Sequence, residues 1–404
     1  MALTLVAFWV PVGLLIYGYA GFPLLVATAG KILDRRVRKA PFTPKVSLII
    51  AAYNEEDGIR SRVENALSCD YPEDALEILV ASDGSTDRTA SIVEKLGMDH
   101  RVRLLSLPRK GKAHALNEAV RQSRGEVLVF SDANTVFRPD ALRMLMRNLA
   151  DPEVGGVAGQ TGYVIQEEGE SAGRGEDLYW RYDSWIKRLE SRTGSVVSAH
   201  GGMYAIRREL FQPLVDAAVT DDFAISTGVV EQGRRLVFEP DAQGSEMTVK
   251  ESAREFQRRV RLMTRGLRSV LLRRRLLNPR EYGFYSVALF SHKVLRRALP
   301  LVLPVLFVAS VALHSRGIFY LGAAVGQALF YSLALSGWAL RNRKMGRWKL
   351  FYVPFFFCMA NLASATAIWN VLRGQRIEKW SPQRHAGEEA LMGGQPTPDR
   401  ARSW

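Results

Sequence analysis

The sequence predicts an α/β domain with a mostly parallel sheet, flanked by transmembrane α-helices. Three observations carry this. Long stretches of the 404-residue chain hold no formal charge. Between them, short apolar runs that end in polar turns alternate with helix-like stretches. A strongly basic stretch then joins the two parts, in a chain whose net charge is +14. Averages alone hide this layout. Mean hydropathy is −0.06 and 47% of residues are hydrophobic, as in many soluble basic proteins. Those values exclude disorder and collagen-like repeats. Two cysteines, Cys69 and Cys358, exclude a disulfide scaffold and a Cys-rich zinc site.

Residues 1–30 contain no Asp, Glu, Lys or Arg, and a basic cluster follows from Lys31 to Lys39. A signal peptide needs its basic residues first, so this run reads as an anchor. Residues 298–315, 317–340 and 350–372 are also free of formal charge, with lengths of 18, 24 and 23 residues. About 20 apolar residues cross a hydrocarbon core of about 30 Å. The positive-inside rule places residue 31 onward in the cytoplasm. The loop 341–349 carries five basic residues and no acid, which places it there too. Strict alternation sends residues 373–404 outside, whereas Arg373, Arg376, Lys379 and Arg384 argue for inside. A re-entrant or interfacial segment would reconcile the two. The expected divisions are an anchor and basic flank at 1–40 and a catalytic-type domain at 41–250. Amphipathic Arg-rich helices follow at 251–297, then about three transmembrane helices at 298–372 and a polar tail at 373–404. The setting expected is an inner or plasma membrane.

Within the middle part, Val46–Ala52, Glu77–Ser82, Val102–Ser106 and Val127–Ser131 read as strands. Helical stretches lie between them at Gly58–Leu67, Thr86–Lys95, Lys112–Arg121 and Pro139–Leu149. This alternation gives parallel strands with right-handed crossovers, and ligands bind outside their carboxyl ends. Those ends carry Tyr53-Asn54-Glu55-Glu56, Asp83-Gly84-Ser85-Thr86-Asp87 and Asp132-Ala133-Asn134. Each alone reads as a turn or a helix cap. Three at one edge suggest a single pocket. Acids there suit Mg²⁺ or Mn²⁺, which takes a carboxylate or two and completes its shell with phosphate oxygens. Lys112 opens a helix after the third strand and so can approach a phosphate, with helix amides behind it. Neither a Walker A loop nor a GxGxxG motif occurs, so an NTPase or dinucleotide dehydrogenase has no support.

In order, VSLIIAAYNEE, SDGSTD, GKAHALNEA, FSDANT, GGMYAIRRE and TDDFAIS resemble the family 2 glycosyltransferases. With the flanking spans, the chain resembles their membrane-embedded branch, which includes cellulose, hyaluronan and poly-N-acetylglucosamine synthases. The resemblance covers about residues 44–270. It implies a GT-A-like, Rossmann-type domain that uses a nucleotide-sugar donor, a UDP-sugar first among them, and inverts the anomeric carbon. It places Ala52, Tyr53, Glu55 and Asp83 at the nucleotide, Lys112 near the diphosphate, and Asp132 at the metal-binding D-x-D motif. Here that motif ends in Asn134, which offers a carbonyl without charge. Asp222 aligns with the general base, beside Asp221. His200, Gly201, Gly202 and Met203 match the acceptor-site loop. The acceptor would be a growing glycan or a membrane lipid. Trp180, Tyr182 and Trp185 precede that loop on a helix and suit packing or sugar stacking.

Residues 254–280 hold ten Arg and one acid, or +9 of the total +14. Phe256, Val260, Met263, Leu267 and Val270 recur at helical spacing, and Arg254, Arg258, Arg261, Arg265 and Arg268 recur on another face. Beside charge-free spans, an interfacial helix with Arg towards lipid phosphates and the catalytic domain fits better than nucleic-acid binding. The family's Q-x-x-R-W motif falls at Arg258-Arg259-Val260-Arg261-Leu262, which puts Arg258 and Arg261 by the diphosphate and Leu262 at the Trp position. Leu cannot stack on an acceptor sugar, which favours a non-processive lipid glycosyltransferase, while the overall layout favours a polysaccharide synthase. A catalytically inactive membrane sensor of sugar nucleotides is the alternative of another class, supported by Asn134.

Overall fold

The computed structural model describes residues 1–164, 170–216, 218–247, 255–341 and 343–377. Arg254, Lys379 and Arg384 of the sequence reading lie outside them. The strands are β1 Val46–Ala52, β2 Leu76–Asp83, β3 Val102–Leu107, β4 Val127–Asp132, β5 Thr135–Phe137, β6 Val154–Val164, β7 Tyr204–Arg207 and β8 Arg235–Met247. They form one eight-stranded sheet in the order β3-β2-β1-β4-β7-β6-β8-β5. The first half is parallel: β1 pairs with β2 and β4, and β2 with β3. Beyond β4 the sheet is mixed, because β7 runs antiparallel to both β4 and β6. The four strands and helices expected from the sequence recur within a few residues of their expected ends.

β1 is buried along its whole length. Its side chains alternate between two cores, as the two-residue period of a strand requires. Ile49 and Ala51 join Leu79, Leu128 and Phe130 on one face, while Leu48 and Ile50 join Ile78, Val80 and Val129 on the other. Helices therefore cover both faces and leave the strand ends as the accessible edge.

Among the described residues, four helices are long and apolar enough to cross a membrane: Ala2–Leu33, Phe284–Ala312, Ile318–Ala339 and Lys349–Leu372. Their outer faces carry exposed Leu24, Val308, Leu329 and Leu335. Phe8 of the first packs edge-on against Tyr320 of the third, with ring centroids 4.9 Å apart. The second span begins earlier than the charge-free run at 298–315. His292, Lys293, Arg296 and Arg297 sit near its start, and His292 finds a partner in Glu190 at 3.0 Å. Counting charge alone therefore truncates this helix. Two π-helical turns, Tyr17–Gly21 and Phe290–Leu295, meet through a 2.8 Å hydrogen bond between Tyr17 and Ser291.

The Arg-rich helix Glu255–Leu272 packs against Lys349–Leu372. Arg259 lies 4.6 Å from the Phe356 ring centre. The other side of the helix grips the α/β domain. Arg268 donates two hydrogen bonds to Asp216, and Arg265 donates to the Val219 carbonyl at 2.6 Å. Arg273 pairs with Glu231 and donates to the Ala224 carbonyl.

Candidate active site

The residues after β1, β2 and β4 meet at the carboxyl edge of the parallel half. Asn54 adopts φ +52°, which turns the chain sharply after β1. Its side-chain carbonyl accepts the Thr86 amide at 2.8 Å, and the Glu55 amide donates to Thr89 at 2.8 Å. These bonds tie the β1 and β2 loops together. Asp83 ends β2 and is fully buried. It pairs with Arg109 and accepts the amides of Lys110 at 2.8 Å and Gly111 at 2.9 Å. Arg109 in turn lies 3.5 Å over the Tyr53 ring. Ala52, Tyr53, Glu55 and Asp83 thus share one corner of the site.

Lys112 opens the helix Lys112–Gln122. Its ammonium reaches Asp132 at 2.7 Å and Asp221 at 2.9 Å. Burial alone would push its pKa down, but Asp132 and Asp221 overcome that and raise it. The same pairing lowers Asp132 against the opposing effect of burial. Asp221 and Asp222 form the first turn of the helix Asp221–Glu231. Asp222 accepts its neighbour Phe223's amide at 2.7 Å. Burial, and then the charge of Asp221, raise the Asp222 carboxyl above its ordinary range. The pair therefore divides: Asp221 is paired with the Lys112 ammonium, while Asp222 has its pKa raised.

The 200–203 turn closes the other side. His200 Nδ1 meets Thr161 Oγ1 at 3.1 Å and lies 3.7 Å from Glu246. A Cβ on Gly201 would come within 3.2 Å of Asp132 Oδ2, and one on Gly202 would collide with the Glu246 carboxylate. Only glycine lets backbone pass between these acids. Met203 stands apart from the others: it is fully buried and packs against Gly159 and Gly244, in the core beneath the site. Arg258 lies within electrostatic reach of Glu246, and Arg261 is crowded by Arg265 and Arg258. Leu262 is exposed. Tyr182 and Trp185 contact each other with ring centres 6.2 Å apart.

The acceptor-loop resemblance extended to Tyr204, whose place among the acids it did not give, while Glu246 escaped the sequence reading. Tyr204 Oη is buried and without a hydrogen-bond partner among the described residues. Its pKa is raised well above normal, by burial and then by Asp221, Asp222 and Asp132. Its hydroxyl is thus a neutral donor facing three acids. Glu246 is buried and raised for the same first reason. Tyr204 ends the stretch matched to the acceptor loop and opens β7. Glu246 lies within the long strand β8, with no motif to flag it.

Among the described residues, no group of three or more His, Cys, Asp or Glu gathers as a metal site. The donor set still fits a hard cation bound together with phosphate. Asp132 supplies a carboxylate, Asn134 a carbonyl oxygen, and Gly201 leaves space against Asp132 Oδ2.

An eight-stranded, half-parallel sheet with acids at its carboxyl edge and long apolar helices beside it is a GT-A-like fold. A mannosyltransferase from Pyrobaculum calidifontis, solved in complex with GDP-Man and Mn²⁺, shares it with a TM-score of 0.65 at 26% identity, covering 90% of this chain and 97% of that one. The family model described as Glycosyl transferase family 2 matches residues 47–215, and that segment is a family 2 glycosyltransferase domain. Poly-beta-1,6-N-acetyl-D-glucosamine synthase of Staphylococcus epidermidis is 28% identical over 203 residues, 49% of this chain and 48% of that protein. The synthase of Staphylococcus aureus strain MSSA476 is 28% identical over 204 residues, 48% of each. The match thus spans about half the length of these curated relatives.

Proposed function

We propose that the protein is an integral membrane inverting glycosyltransferase, with its catalytic domain on the cytoplasmic face. It moves a sugar from a nucleotide-sugar to a hydroxyl of a glycan or membrane lipid. The observation that carries this is the convergence of Lys112, Asp132, Asp221 and Asp222 at one sheet edge. The acceptor oxygen attacks the anomeric carbon as Asp222 takes its proton, and the bond from that carbon to the diphosphate breaks on the opposite face. Lys112 balances the local acids and orients toward the leaving diphosphate. Tyr53 and Asp83 hold the base, and Glu55 lies at the ribose. His200, Gly201 and Gly202 border the acceptor, and Arg258 and Arg261 face the diphosphate from the Arg-rich helix. A divalent cation at Asp132 and Asn134 would neutralise diphosphate charge as the bond breaks.

The donor class is open to two supports. The curated relatives are N-acetylglucosamine polymer synthases, which favours a UDP-sugar. The whole-length structural neighbour was solved with GDP-Man, which favours a guanosine donor. The test is nucleoside diphosphate release by purified protein with UDP-GlcNAc and GDP-Man, each with Mn²⁺ or Mg²⁺. Release at the same rate by wild type and Asp222→Asn across the panel rejects the enzyme reading. Single transfer to a lipid is a second reading, favoured by exposed Leu262 where stacking on a growing chain would need an aromatic. Products that carry one added sugar only would select it.

A further inference from the structure

The corner proposed for the donor's base is already filled by a side chain of this protein. A base is recognised there by two features: an aromatic face to stack on, and a carboxylate to accept a ring N–H. The Arg109 guanidinium occupies both at once. It lies flat enough to sit 3.5 Å from the Tyr53 ring centre, and it pairs with Asp83. A guanidinium is planar, delocalised and carries N–H donors in a rigid fork, so it shares its recognition chemistry with a nucleobase edge. The backbone is shaped for this contact. Gly84 has φ +66°, and a Cβ there would come within 2.7 Å of the Arg109 amide nitrogen.

We propose that Arg109 stands in for the nucleobase of a nucleoside diphosphate, holding the subsite between Tyr53 and Asp83 until the donor displaces it. The inference rests on the donor-site reading above. The exchange leaves Asp83 hydrogen-bonded: Oδ1 keeps the amides of Lys110 and Gly111, Oδ2 keeps that of Gly111 at 2.9 Å, and the place of Arg109 on Oδ2 passes to the base N–H. Arg109's side chain is 37% exposed, so it has a solvent side to move into. The loop keeps its backbone anchor while the side chain leaves, so Lys112 keeps its place at the helix start.

A self-occupied site weakens apparent affinity by the fraction of molecules in which it is open. Binding of UDP and of GDP, each with Mn²⁺, is to be measured by calorimetry on the full chain in detergent, for wild type, Arg109→Ala and Arg109→Lys. The expected result is that Arg109→Ala tightens the preferred nucleotide about five- to tenfold, as removal of an occupant that is out about one time in ten would do. Arg109→Lys, which lacks the planar fork, is expected to fall between. Should Arg109→Ala not fold, the Lys variant alone decides by the same measurement. Unchanged or weaker binding in a folded variant overturns the proposal and makes Arg109 a structural clamp or a direct base contact. If neither wild type nor variant binds either nucleotide, the donor-site reading itself falls.

Discussion

Asp222 and its neighbour differ only in what they touch, and that sets their roles. Asp221 has the Lys112 ammonium at 2.9 Å, while Asp222 is half-buried beside a like charge. A carboxyl whose folded pKa is raised binds its proton longer than it does in the unfolded chain. Ionised Asp222 therefore costs stability as pH rises above about 4, the unfolded value. Asp222→Asn should melt higher than wild type at pH 7, with the gain vanishing near pH 3.5. The same variant should lose about 10²–10⁴ of turnover, the range of a general base. Wild-type turnover should fall on acidification with a midpoint above the ordinary carboxylate range. A pH profile at the ordinary Asp value would reject the assignment. Lys112 predicts the opposite balance. Replacing it with Met leaves Asp132 and Asp221 without their shared cation, a loss of about 1–2 kcal/mol for a partly exposed pair. Chemical denaturation should register that loss together with a raised KM for donor. Motif order in the sequence pointed to Asp83, Asp132 and Asp222. It could not separate Asp221 from Asp222 by partner, nor place Tyr204, because burial next to three acids is a property of position in space.

At the scale of elements, the Arg-rich helix was legible as a helix from its spacing alone. Its purpose was not. The sequence offered lipid phosphate or the catalytic domain as partners for the arginines. The structure spends Arg265, Arg268 and Arg273 on the segments that flank Asp221 and Asp222. Ser269 accepts the Thr220 amide at 2.9 Å, one residue before the acidic pair. The helix thereby fixes the start of the helix Asp221–Glu231. An Arg268→Ala, Asp216→Ala double-mutant cycle should give a coupling of about 1–2 kcal/mol for this charge-assisted pair. Each single variant should also slow turnover with little change in donor KM, since the contact positions the base rather than the donor. A cycle with no coupling would show the contact to be incidental. Gly202 makes a related point about the acceptor loop. Gly202→Ala would push a methyl onto Glu246 and within 2.8 Å of the Thr161 methyl, so a drop in melting temperature and in activity is expected together.

For the whole molecule, the described residues form an α/β domain, four long apolar helices and an Arg-lined helix that contacts both. The protein should remain in the membrane pellet after alkaline carbonate washing, and extraction by carbonate alone would reject the spanning reading. Part of the +14 charge is used inside the molecule: Arg265, Arg268 and Arg273 bond to the α/β domain, and Arg259 lies against Phe356 of an apolar helix. By itself, the sequence determined the parallel half of the sheet and the identity of the strand-end acids. Short apolar runs followed by polar turns admit few other arrangements, and charge-free runs of membrane length admit few other settings. It also marked most of each span, because bilayer thickness is a one-dimensional constraint. Only the tertiary structure decided the mixed half of the sheet, the early start of the second span and the sharing of Lys112 between Asp132 and Asp221. Those depend on which distant residues come within a few ångströms, and burial and charge pairing act over that distance rather than along the chain.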